Sequence, residues 1–292
     1  MLNKRWQDKA MRLMLTACAS TSILVVALIF IFLGKESVPF AREPGLSALW
    51  DHNWIPVSFQ KERFGLLPLA TGSLMVTLLA MLMAGPLGVL GAVYISEIAR
   101  PWEREILKPF IEILAGIPSV VLGFFGLVVI GPLVKDVFHL SSGLTALTGA
   151  ILLALMAIPT IISVSEDAIH AVPAAYKQAS MALGASHVQT MWRVTVPAAT
   201  PGILAATLLG MGRVIGETMA VMMVTGNAAI VTFSPLQSVR TMTATIAAEM
   251  GEVALGGTHY GALFCVGLIL LLVTFGLNHL AQTILRRYEN RR

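Results

Sequence analysis

Apolar residues along this chain come in long unbroken runs. They show neither the alternation of a half-buried strand nor the single stripe of a surface helix. A bilayer core of about 30 Å takes roughly 20 apolar residues in a helix. Six stretches reach that length: 11–33, 66–96, 111–134, 144–165, 198–224 and 260–285. The second is long enough to tilt or to protrude as a helix. The pattern predicts an all-α integral membrane protein with six transmembrane helices. Gly85-Pro86, Pro118, Gly131-Pro132 and Pro159 punctuate the runs. Membrane helices tolerate such breaks because neighbouring groups re-satisfy the backbone.

Composition agrees. Of 292 residues, 56% are hydrophobic and 12% charged, against about 25% charged in a soluble domain. The mean hydropathy is +0.79. The charge distribution orients the bundle, since Lys and Arg collect on the cytoplasmic side. With the N-terminus inside, the inner segments hold Lys4, Arg5, Lys9, Arg12, Arg100, Arg104, Lys108, Lys177, Arg193, Arg286, Arg287, Arg291 and Arg292. The outer segments hold Lys35, Arg42, Lys61, Arg63, Lys135 and Arg240. The asymmetry predicts both termini in the cytoplasm. Leu15-Thr16-Ala17-Cys18 resembles a lipoprotein cleavage box, but the apolar run continues after it, so 11–33 reads as a retained span. Cys18 and Cys265 read as small buried hydrophobes. Trp50 and Trp54, in the outer loop 35–65, read as interfacial anchors.

No segment carries catalytic or metal-binding spacing. Gly34-Lys35 lacks the first glycine of a phosphate-binding loop, with Ile29 in its place. There is no HExxH, no GxSxG and no Cys/His cluster. No cofactor and no metal site is expected, and the chain reads as a transport subunit rather than an enzyme. Its energy must come from a partner or a gradient.

The longest inner connection runs over 166–197. Residues 174–183 are helix-friendly, and Gly184 can end a helix in a left-handed turn. The loop resembles the EAA loop of ATP-binding-cassette importer permeases: EAA, three residues, Gly, nine residues, Ile, one residue, Leu-Pro. The matching positions are Gln178-Ala179-Ser180, Gly184, Val194 and Val196-Pro197, with every spacing kept. Gln178 stands where the family has Glu. The resemblance implies a short helix that docks on a cytoplasmic ATPase, with Tyr176, Gln178, Ala179, Ser180, Leu183, Gly184 and Pro197 as its residues.

The fifth apolar run holds two ionisable residues, Arg213 and Glu217, among Gly210, Gly212 and Gly216. Each charge near the bilayer centre costs roughly 2.5–3.5 kcal/mol on insertion scales, so it needs compensation or a function. Spacing i, i+4 puts both on one helix face, where they form either a self-neutralised pair or a polar station in a pathway. Arg matches phosphate and carboxylate oxygens, which favours an anion.

Gly212-Arg213-Val214-Ile215-Gly216-Glu217-Thr218-Met219-Ala220-Val221 resembles the GRxxGETMAV segment of the PstC-type phosphate permease family. Residues 86–97, 116–124, 241–247 and Glu249-Met250-Gly251-Glu252 are similar to that family too. The likeness covers 66 to the C-terminus, so the chain divides into 1–65, a span with its outer loop, and 66–292, a permease core. The resemblance implies the type I importer permease fold in a bacterial inner membrane. It implies a PstA-like second permease, PstB-like ATPases and a PstS-like phosphate-binding protein as partners. It also implies Arg213, Glu217 and Thr218 in the pathway. A permease for sulfate or molybdate, or a stand-alone secondary transporter, remains the alternative.

Overall fold

The computed structural model describes residues 2–58 and 61–289, and side chains within them except at 2–8, 10, 281 and 284–289. Arg291 and Arg292 lie outside the described residues. The side chains of Lys4, Arg5, Arg286 and Arg287 lie outside the described side chains.

Twelve α-helices are present among the described residues: α1 (Leu2–Phe40), α2 (Leu67–Val93), α3 (Pro101–Gly116), α4 (Ser119–Phe125), α5 (Gly131–Val137), α6 (Ala146–His170), α7 (Ala174–Ala182), α8 (His187–Thr190), α9 (Val196–Gly216), α10 (Met219–Val224), α11 (Met242–Glu249) and α12 (Thr258–Glu289). Wide turns prolong α2 to Ile98, join α4 to α5 and join α8 to α9. Among the described residues, six helical stretches are long and apolar enough to cross a membrane. A two-stranded antiparallel hairpin, β1 (Trp54–Ile55) with β2 (Arg63–Phe64), follows α1.

Several boundaries differ from those expected, among them the fourth span, which ends at His170, and the fifth, which starts at His187. The first helix runs past Leu33 to Phe40. The third span starts at Ser119 rather than 111, because Pro118 keeps Ile117 extended (ψ 129°). Residues 111–116 therefore belong to α3, which lies outside that span. The fifth span ends at Gly216, and 219–224 form the separate helix α10.

The bundle is built around α6, whose Leu152, Leu153 and Ile161 are buried. Lipid tails are as apolar as leucine, so helices associate in a bilayer through close packing of small residues. Helix α2 supplies them: Gly72, Ala80, Ala84, Gly88 and Ala92 recur at multiples of four, and all are buried. Against α6 the fit is tight, since a Cβ at Gly88 would fall 2.7 Å from Ile161 Cγ2. Helix α1 stands apart and meets α12 through the edge-on rings Phe30–Phe275 and Phe32–Phe264. Cys265 is buried as expected, but Cys18 is exposed on α1.

Candidate functional site

The fifth span breaks where its charges lie. Glu217 is extended (φ −71°, ψ 130°), and α10 starts two residues later. The helical repeat does not pass through the break, so the i, i+4 argument fails and Arg213 and Glu217 form no ion pair. This corrects the expectation of a self-neutralised pair. Each side chain has its own partners. Glu217 Oε1 accepts from the Thr218 and Ala220 amides at 3.2 and 3.4 Å, so the carboxylate answers free N–H groups at the start of α10. Thr218 Oγ1 donates to the Gly216 carbonyl at 3.2 Å.

The Arg213 guanidinium donates to Thr160 Oγ1 on α6 at 3.1 Å and to the Ala115 carbonyl on α3 at 3.3 Å. No described carboxylate lies within ion-pair reach of it. Of its five N–H donors, two make these bonds. A half-buried cation inside a span is thus held by neutral oxygens.

Beside the break lies a narrow cleft of about 10 Å³, lined by polar residues and by Val76, Leu153, Val214, Ile215 and Val221. Ser73 and Thr77 of α2, Glu217, Thr241 and Thr243 line it. Thr243 Oγ1 donates to the Glu217 carbonyl at 3.0 Å, and the Met242 amide donates to Ser73 Oγ at 2.9 Å. The sequence reading missed Ser73, Thr77, Thr160 and Thr243. Lone hydroxyls in apolar runs carry no periodic signal, although Thr243 lay within the family-like segment 241–247.

At one end of the bundle α7 is exposed, with none of its side chains buried. It ends as the glycine spacing predicts: Gly184 has φ +87°. The Ala185 amide reaches back to the Ser180 carbonyl and the Gly184 amide to that of Met181, the paired closure of a glycine-terminated helix. Tyr176, Gln178, Ala179 and Leu183 are exposed, as is Pro197 farther along. Ser180 Oγ instead turns inward to Thr190 Oγ1 at 2.9 Å. The candidate residues thus fall into two groups: the 213–218 break, and the 176–184 helix with Pro197 beyond it.

At the opposite end a carboxylate gathers four elements. Glu249 meets Arg240 Nη1 at 2.5 Å and His259 Nε2 at 2.8 Å, and accepts from Trp54 Nε1 at 3.0 and 3.2 Å. Trp54 is buried in this cluster, 4% exposed, and not an interfacial anchor as expected. Trp50, at 75%, stays exposed. Burial pushes the Glu249 carboxyl up, but the His259 and Trp54 hydrogen bonds and the Arg240 charge outweigh it and hold it below the ordinary value. A cavity of about 940 Å³ opens beside the cluster.

Six apolar spans, one broken just past an arginine, with a loop helix presented at one end, fit a membrane permease. Residues 84–290 match the family model for the binding-protein-dependent transport system inner membrane component, and the chain belongs to that family. It is 39% identical over 276 residues to a Bacillus subtilis (strain 168) protein named "Probable ABC transporter permease protein YqgH", covering 94% of this chain and 89% of that one. It is 35% identical to the phosphate transport system permease protein PstC of Mesorhizobium japonicum, over 85% of this chain and 80% of that one. Among solved structures, the inward-facing methionine transporter MetNI aligns with a TM-score of 0.57 at 18% identity, over 84% of this chain and 98% of that chain. A bacterial alginate importer aligns at 0.61 and 15%, over 97% and 99%. The fold is that of type I ABC importer permeases. The chain is a multi-pass inner-membrane transport subunit, and the fold implies an ATPase and a substrate-binding protein as partners.

Proposed function

We propose that this chain is the permease subunit of an ATP-driven phosphate importer, forms half of the pathway, and passes the anion by Arg213. The observation that carries the reading is the Arg213 guanidinium, which sits in a span beside a helix break with no described carboxylate against it. A cation held by a hydroxyl and a carbonyl keeps donors and charge for an oxyanion, and the planar fork suits phosphate oxygens. The hydroxyls of Ser73, which accepts from the Met242 amide, and Thr77 add neutral donors, those of Thr218 and Thr243 are spent on the Gly216 and Glu217 carbonyls, and Glu217 keeps α10 in place. The PstC relatives supply the choice of phosphate over sulfate or molybdate.

In this reading the partners are a PstA-like permease, PstB-like ATPases and a PstS-like binding protein. The α7 helix docks on the ATPase through Tyr176, Gln178, Ala179 and Leu183, with Gly184 and Pro197 shaping the loop. The Lys/Arg bias places α7 and both termini in the cytoplasm and the Trp54 hairpin outside. In this reading 1–65 is a span with its outer loop and 66–292 the permease core, of which the family match covers 84–290. A secondary transporter would have no use for an exposed docking helix.

The test is radiolabelled phosphate uptake in cells lacking the chain, with sulfate as control. Phosphate uptake should return with the wild-type chain and sulfate uptake should not change. Restoration of sulfate uptake alone would overturn the choice of anion. A phosphatase reporter should be active when fused near Ser47 or Gly251 and silent near Lys108; activity near Lys108 would overturn the orientation.

A further inference from the structure

Helix α7 buries no side chain, so its packing on the bundle is shallow, and the Ser180–Thr190 hydrogen bond is a neutral link. One charged tie leaves it. Lys177 Nζ meets Glu97 Oε1 at 2.5 Å, and the two side chains are 27% and 5% exposed. Glu97 lies in the wide turn Tyr94–Ile98 that prolongs α2. A nearly buried carboxylate opposed by one ammonium resists separation, because parting leaves a buried charge uncompensated. The same turn is stiffened from α3, where Arg104 donates to the Ile95 carbonyl at 3.0 and 2.7 Å and to that of Ser96 at 2.6 Å.

From that turn α2 runs on as a continuous helix through the bundle, with Pro86 inside it. Leu67–Ile98 is 32 residues, about 48 Å of helix. About a third of the way along it is seated on α6 at Gly88 against Ile161, the neighbour of the Thr160 that receives Arg213. Near its far end Ser73 and Thr77 line the polar cleft beside Glu217, and Ser73 holds the start of α11. One rod therefore touches the loop helix at one end and the cleft at the other.

We propose that the Lys177–Glu97 ion pair is the tie through which movement of α7 drives α2, and with it the Ser73–Thr77 wall of the cleft. Both are positioning residues: neither meets substrate. The tie stays closed through the transport cycle, so that α7 and α2 move together. This inference rests on the proposed docking of α7 on the ATPase.

The test uses the full transporter, reconstituted in proteoliposomes with labelled phosphate, and reads phosphate imported per ATP hydrolysed. Glu97→Lys and Lys177→Glu should each leave the ATPase bound and hydrolysing while the ratio falls by about tenfold, and the double exchange should bring most of it back. A second arm removes doubt about assembly. In a chain with Cys18→Ser and Cys265→Ala, the pair Glu97→Cys and Lys177→Cys is compared before and after bridging with a short thiol crosslinker. Bridging should raise the ratio by about tenfold, because a covalent tie replaces the ionic one. An unchanged or lower ratio after bridging, or single reversals that couple as wild type does, would overturn the tie. Loss of ATPase co-purification with the wild-type chain would instead overturn the docking of α7. If the wild type imports sulfate and not phosphate, the substrate reading fails, and the tie is judged by the same ratio with sulfate.

Discussion

Two arginines in this chain sit in opposite circumstances. Arg240, at the hairpin end, is paired with Glu249, which also holds His259 and Trp54. Arg213, in the broken span, has a hydroxyl and a carbonyl and, among the described residues, no carboxylate. A guanidinium neutralised by a carboxylate that three elements share is a fastener: its charge is spent on joining the hairpin, the loop before α11 and the start of α12. A guanidinium held only by neutral oxygens is fixed in place with its charge unspent, and an anion can use it. The same residue type thus serves architecture in one place and passage in the other, and the nearest carboxylate decides which.

Exchanging the two roles by mutation gives the largest expected effect. Arg213→Met should cut phosphate uptake per assembled complex by about 10- to 100-fold, the worth of one charge-assisted hydrogen bond at about 1.5–3 kcal/mol. Arg240→Met should leave uptake per assembled complex much nearer to wild type. Equal losses in the two variants would collapse the distinction. Arg213→Lys keeps charge but loses the fork, and its uptake should fall between wild type and Arg213→Met.

Next in size is the fastener itself. Glu249→Gln removes the charge that Arg240 and His259 answer, at a cost of about 1–3 kcal/mol. Limited proteolysis should then cut the β1–β2 hairpin faster, while α7 stays as protease-sensitive as before. Unchanged hairpin cleavage would show that Trp54 packing suffices without the carboxylate.

Acidification should loosen the same cluster. The Glu249 carboxyl is held below its ordinary value near 4.5. Its contribution is therefore complete above that value and is lost as pH falls through the lower folded one. Protection of the hairpin from an acid-active protease should persist to below pH 4.5 in wild type and show no such transition in Glu249→Gln. The smallest effect expected is that of Glu217→Ala, which removes the acceptor at the start of α10 and should cost about 1 kcal/mol. It should lower thermal stability without the deep uptake loss of Arg213→Met. An uptake loss as deep as that of Arg213→Met would move Glu217 from scaffold to pathway.

The apolar runs, the glycine at 184 and the loop spacing around it were legible in the sequence, because length, left-handed backbone preference and local spacing are local properties. The packing stripe of α2 was written there as well, in Gly72, Ala80, Ala84, Gly88 and Ala92, but a stripe of small residues in an already apolar run is easily passed over. Pro118 was visible as a break, yet the helix before it was read as part of the span.

The residue types and their order determined that this chain spans a membrane six times, that a helix ends at Gly184, and that two charges sit in the fifth apolar run. Only the tertiary structure decided what those charges do. The pairing of Arg213 with Glu217 held only for a continuous helix, and the helix stops at Gly216. Of the partners that replaced it, Thr160 and Ala115 come from elements brought close by packing, while the Thr218 and Ala220 amides are local to the break. Trp54 changed its meaning for the same reason. Its buried place depends on Glu249, Arg240 and His259, which lie far along the chain and reach it only once the bundle has closed.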